Sequence, residues 1–366
     1  MSIEDRLRQR LAERAAEVPL RAPDWNSLRR RGAARRRWRT VSATLTVVVA
    51  AAAVAASQLG GVTHKTSVVT VNRVPVPAGF TPVSVTWISA SEGWVLGHAQ
   101  MAHTTDDGQT WEGAPAPPVD LQGTRFADGR DGWAFGPDVW ATHDGGRTWR
   151  DVFKGNVTTL EAAAGSAFAV VDDHVFAAGV AGDDWKPVGP DPVAAGALLA
   201  RHGAAGYVAA ADGTVIEVSP NGLTRRGAPC GSTPPAGLAA VTTVDVAALC
   251  VADAGAGSST KALVISHDSA ATWQAAGSPP RAGQPTGLAA ATSTSYVVGA
   301  ASGATFLYRT ADGGATWTAV LDDTADGGAP ISDLGFTDAD HGVAILGRSQ
   351  LLRSLDGGAT WVTVHF

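Results

Sequence analysis

The chain has 366 residues and is rich in glycine (43) and proline (20), with 45% hydrophobic and only 17% charged residues. That profile fits one large repeat domain, or two or three ordinary ones, and leans towards an all-β chain with many tight turns. The net charge of −6 hides an asymmetry: residues 1–40 hold 12 arginines against 5 carboxylates (net +7), whereas the remaining 326 hold 16 Lys/Arg against 29 Asp/Glu (net −13), so phosphate repulsion argues against nucleic-acid binding by the body.

The N-terminal arm, residues 1–39, carries an apolar stripe of Ile3, Leu7, Leu11 and Val18 among arginines and glutamates, which reads as a short helix ended by Pro19 and Pro23. A second basic stretch runs from Asp24 to Arg39. Residues 40–62 carry no charge, and the run is long enough to cross a bilayer as a helix, for which about 20 residues suffice. The arginines beside it place the arm in the cytoplasm and the body outside it, on a single-pass cell-membrane protein. Ala53-Val54-Ala55-Ala56-Ser57 also suits signal-peptidase cleavage, but the preceding arm is long for a signal peptide, which favours an anchor. The arm itself reads as a topology signal, as a binder of anionic headgroups, or as a contact for a cytoplasmic partner. Residues 63–80 follow as a linker or closing element, and the β-rich stretch Ser67–Val74 suits an edge strand or a stalk.

The body, residues 81–366, is organised by repetition. Five segments share the pattern Ser/Thr-x-Asp-x-Gly-x-Thr-Trp. In chain order their marked positions are Thr104, Asp106, Gly108 and Trp111; Thr142, Asp144, Gly146 and Trp149; Ser266, Asp268 and Trp273, with Ala270 in the glycine's place; Thr310, Asp312, Gly314 and Trp317; and Ser354, Asp356, Gly358 and Trp361. Asp hydrogen-bonds backbone N–H groups of its own turn, Gly supplies a positive φ, and Thr-Trp opens the next strand. Short strands accompany the octets, such as Val83–Ile88 followed by Gly93-Trp94-Val95-Leu96-Gly97, Gly132-Trp133-Ala134-Phe135, and Gly342-Val343-Ala344-Ile345-Leu346.

The tryptophans of successive octets lie 38, 124, 44 and 44 residues apart, and the interval of 124 holds three repeats. Two degenerate units therefore belong in the gap, one over about 158–188 with Gly182-Asp183-Asp184-Trp185 as an eroded octet, the other over about 198–227 with Ser219-Pro220-Asn221-Gly222-Leu223-Thr224. The total is seven four-stranded units.

These octets resemble the Asp box, or BNR repeat, of sialidases, sortilin-type receptors and photosystem-assembly-factor-like propellers. The resemblance implies an all-β propeller in which each box is a structural turn between the third and fourth strands of a blade. His143 and His267, inside two boxes, then read as exposed turn residues rather than metal ligands. Sialidases further need an arginine triad, a Tyr–Glu nucleophile pair and an acidic Asp. Here Arg73-Val74-Pro75 is a short match to the first arginine's motif without its preceding aromatic, and the only tyrosines are Tyr207, Tyr296 and Tyr308. No metal-ligand spacing, nucleophile elbow or phosphate loop is present in the sequence. Cys230 and Cys250, the only cysteines, form one disulfide if the body is extracytoplasmic, or remain two buried thiols. The expected function is non-catalytic and cofactor-free: a membrane-anchored propeller that binds a protein or cell-surface glycan, as an assembly or scaffold factor. A transmembrane sensor signalling through the basic arm is the alternative, and sialidase-like hydrolysis a distant third.

Overall fold

The computed structural model describes residues 75–366, apart from 99, 164, 190–191, 194–197, 325–326 and 348–349. The basic arm, the 40–62 membrane segment, Ser67–Val74 and Arg73 lie outside the described residues. Seven antiparallel sheets of four strands follow one another, each made from four consecutive strands. Blade 1 comprises β1 (Pro82–Trp87), β2 (Gly93–Gly97), β3 (Gln100–Thr104) and β4 (Glu112–Pro115). The others are β5–β8 (123–154), β9–β12 (157–187), β13–β16 (199–225), β17–β20 (237–277), β21–β24 (284–323) and β25–β28 (331–364). The third and fourth blades fill the gap between octets close to the limits the spacing predicts.

The second strand of a blade is buried on both faces, because each sheet is packed between two others. In β2, β6 (Gly132–Phe135) and β26 (Gly342–Leu346) every residue is buried, so these strands read as unbroken apolar runs rather than alternating ones. Their leading glycine has a steric cause. Gly93 pairs with Trp87, Gly132 with Phe126 and Gly342 with Phe336. A Cβ on any of the three would meet the partner ring at 2.5–2.6 Å. The aromatic therefore lies flat over its cross-strand glycine, which accounts for the recurring Gly-plus-aromatic signature.

Apolar clusters occupy all seven seams between neighbouring blades. Trp94 stacks on Phe126 across the first seam with ring centroids 3.9 Å apart, and Trp133 meets Trp185 edge-on across the second. Each fully buried side chain of this size contributes roughly 2–3 kcal/mol of transfer free energy.

Among the described residues the last sheet contains only β25 to β28, with no strand shared between the first and last blades. Side chains make the junction instead. Phe366 packs on Phe80 and on Trp111, and Val343, Ile345 and Leu351 share a cluster with Val85, Trp87 and Val95. Arg353, 2% exposed, lies over the Trp87 ring and donates from Nε and Nη2 to Asp107 Oδ1 at 2.9 and 2.6 Å.

Blade 5 departs from the others on the side away from the octets. Its β18 (Val246–Gly255) and β19 (Ser258–Ser266) form an extended hairpin. Cys230 and Cys250 are joined in a disulfide beside it. Lys261 is buried in β19, and its Nζ donates to the carbonyls of Ser259, Arg281, Ala282 and Gly283 at 2.9–3.3 Å, fastening the connection to blade 6 onto the hairpin.

Candidate functional site

The five octets all connect the third strand of a blade to the fourth. In the first, the Thr104 hydroxyl donates to Asp106 Oδ1 at 2.9 Å and accepts from the Gly108 N–H at 2.9 Å. Asp106 also accepts the Thr110 N–H at 2.8 Å and the Thr110 hydroxyl at 2.7 Å. The same four bonds recur around Asp144, Asp268, Asp312 and Asp356. A fifth bond ties each octet to its own blade. The N–H of Asp107, Gly145, Ser269, Gly313 or Gly357 donates to a carbonyl of the turn between the first two strands. The seventh-position threonine thus completes the aspartate's shell, a role the spacing alone did not reveal. With both carboxylate oxygens engaged in this way, the octet aspartates are turn-forming groups.

The octet tryptophans Trp111, Trp149, Trp273, Trp317 and Trp361 are half-buried. Each packs on the cluster between its own blade and the preceding one. Trp185 does the same in blade 3, so the eroded octet keeps its indole. In blade 4 Leu223 takes that place.

His267 is exposed and bonded to Asp245 at 2.8 Å. His143 differs from the expected exposed turn residue, because its ring lies between Asp131 at 2.6 Å and Asp183 at 3.0 Å, joining blade 2 to blade 3. The hydrogen bond to Asp131, then that to Asp183, raises its pKa. No group of three metal-ligating side chains occurs among the described residues. The tyrosines do not offer a nucleophile: Tyr207, Tyr296 and Tyr308 are 0–3% exposed, and each donates its hydroxyl to a backbone carbonyl. Burial pushes Tyr296 and Tyr308 up to about 12.

Chemistry-bearing side chains gather instead on the ring axis. The first strand of every blade is innermost, and these strands surround a cavity of about 430 Å³. With sheets packed on both flanks, an inner strand has only the axis as an outlet for polar groups. Arg125 on β5 (Gly123–Phe126), Glu161 on β9 (Val157–Ala163), Arg201 on β13 (Leu199–His202) and Asp333 on β25 (Ile331–Phe336) line this cavity.

Arg125 holds the group together. Its Nε donates to Glu161 Oε1 at 2.9 Å, and its two terminal nitrogens lie 3.4 Å from the two oxygens of Asp333. Asp333 Oδ2 also accepts from the Ser84 hydroxyl at 2.9 Å and the Val85 N–H at 3.0 Å, so one carboxylate joins blades 7, 1 and 2. Burial pulls the Arg125 pKa down, but Asp333 and Glu161 more than compensate and hold the guanidinium charged. Burial raises Glu161 against the opposing pull of Arg125. Arg201 donates from Nη2 to Ala163 O and Ser166 Oγ and from Nε to Gly203 O, with its guanidinium 4.5 Å from the Phe168 ring centre. Its burial brings it down to about 10.

None of these four axial residues belongs to a sequence motif. The available signal was weaker: a charged residue inside the opening strand of a blade, as in Val-Thr-Thr-Leu-Glu-Ala-Ala of β9.

No protein-family model matches the chain, and no curated protein is similar to it. Solved structures do resemble it. The structure described as YCF48 bound to D1 peptide is 19% identical, with a TM-score of 0.56 over 77% of this chain and 95% of that one. YCF48 from Cyanidioschyzon merolae is 16% identical, with a TM-score of 0.56 over 77% of this chain and 97% of that one. A GH74 xyloglucanase from Xanthomonas campestris is 14% identical, with a TM-score of 0.59 over 79% of this chain and 55% of that one. At these identities the likeness shows the propeller fold.

Proposed function

We propose that this chain is a binding propeller that holds a segment of a protein partner at the axial cavity, carried outside the cytoplasm on the 40–62 membrane helix and serving assembly or scaffolding of that partner. The observation that carries the reading is the axial charge cluster. Burying Arg125, Glu161 and Asp333 costs desolvation free energy that an apolar inner wall would avoid, and a half-satisfied ionic cluster is weak evidence of a stability role. Polar groups on a rigid inner wall, facing a cavity that the seven-fold frame keeps open, are suited to recognition. A propeller structurally similar to this one has been solved with a peptide bound, which supports a peptide or protein segment as the ligand class. The five octets, with their repeated hydrogen bonds, support membership of the Asp-box propellers.

The test is to fill the cavity. Ala240 lines it and is half-buried. Tagged full-length chain and its Ala240→Trp variant are cross-linked in intact cells and purified, and the co-purified protein is then reconstituted with each. The partner should follow wild type and be lost from the folded variant. A partner retained equally by both places binding elsewhere on the ring.

A further inference from the structure

We propose that the axial cavity takes a cationic side chain of the partner, a lysine ammonium or an arginine guanidinium, with Glu161 as its acceptor. The proposal rests on the cavity being the partner's site and names the chemistry recognised there.

Hydrogen-bond accounting gives the first reason. Asp333 has both oxygens in use, on Arg125, Ser84 and the Val85 N–H. Glu161 has only Oε1 in use, on Arg125, and its Oε2 accepts no hydrogen bond among the described residues. The Glu161 side chain lines the cavity with 27% of its surface exposed, so that oxygen can receive a donor.

The charges give the second. Glu161 has a single cationic contact, Arg125, and shares it with Asp333. Arg201 attracts Glu161 through space but makes no ion pair with it among the described residues: its Nε and Nη2 are engaged by carbonyls and a hydroxyl, and its Nη1 is buried without a hydrogen-bond partner. A carboxylate held in a partly dehydrated place gains more from a cation than one in open water. Residues 41–366 carry a net −13, which draws cationic partners towards the ring. Leu199 and Leu238 line the same cavity and give the aliphatic stem of a lysine an apolar wall.

The experiment uses the full-length chain in nanodiscs of uncharged lipid at low salt, titrated with N-acetylated, amidated tetralysine and, separately, tetraglutamate. Wild type should bind tetralysine and not tetraglutamate. Glu161→Gln keeps an oxygen for Arg125 and removes the charge; it should weaken tetralysine at least fivefold. Asp253→Asn, at the exposed tip of the β18–β19 hairpin, removes one negative charge elsewhere and should leave affinity unchanged. Thermal melts of both variants establish that they are folded. Equal tetralysine binding by wild type and Glu161→Gln, or none by wild type, overturns the proposal. If the cellular partner is nevertheless lost on Ala240→Trp, the protein-binding reading stands and only the cationic ligand falls.

Discussion

At the scale of single residues, the octets separate groups that are hard to replace from groups that are not. The fourth and fifth positions of every copy have positive φ, including the non-glycine residues Asp107 at 62°, Ser269 at 58° and Ala270 at 64°. A side chain in that region costs about 1–2 kcal/mol per residue. Ser269→Gly should therefore raise stability by about 0.5–1 kcal/mol in urea unfolding. Ala270→Gly should change it little, because its buried methyl contributes about 0.8 kcal/mol that the strain relief only offsets. The reverse change at Gly314 should be harmful, since a Cβ there would sit 2.9 Å from the Ala276 carbonyl oxygen. The octet carboxylates also make stability depend on acid. Hydrogen bonds from the Thr272 and Thr316 side chains, aided by their N–H groups, hold Asp268 and Asp312 down to about 2. A depressed carboxylate stabilises the fold fully above its unfolded pKa of about 4, and the contribution disappears as pH falls through the folded value. Urea midpoints taken from pH 5 to pH 2 should drop less steeply for Asp312→Asn than for wild type, from a lower starting point. Parallel curves would refute this.

At the scale of elements, seams and the closing junction carry the ring. Among the described residues, side-chain contacts join the first and last blades, and Arg353 is the most buried of the charged groups making them. Breaking such a pair leaves Asp107 with no cation, so Arg353→Met should cost about 3 kcal/mol. Removing Asp107 as well should recover part of the loss, which a double-mutant cycle by chemical unfolding will show. These elements were readable to different degrees. The seven blades were legible because Asp-turn chemistry and the Trp spacing repeat along the chain, and the Gly-plus-aromatic strands mark a cross-strand contact local enough to leave a pattern. Closure was not legible, because Arg353 and Asp107 are 246 residues apart and neither type nor spacing marks the pair. The same holds for His143, whose partner Asp183 belongs to the next blade.

At the scale of the whole molecule, the axis is where distant residues become one site. Arg125, Glu161, Arg201 and Asp333 come from four blades, and each alone is an ordinary charge on a short strand. Only ring closure brings them to one cavity, so motif reading reached the scaffold and not the site. A binding propeller could be read from the sequence only in general terms for that reason, and the axial cavity is the location proposed for the partner. Placement of the body outside the cytoplasm remains part of the proposal, carried by the uncharged 40–62 run and its flanking arginines. Axial binding requires the partner to enter the ring. The most direct test of axial entry is a photoreactive amino acid installed in the full-length chain at Ala290, on the cavity wall, and separately at Thr363, on the exposed outer edge of the last blade. Irradiation in intact cells should attach one partner protein from position 290 and leave position 363 without it. Attachment from 363 and none from 290 would contradict an axial binding site.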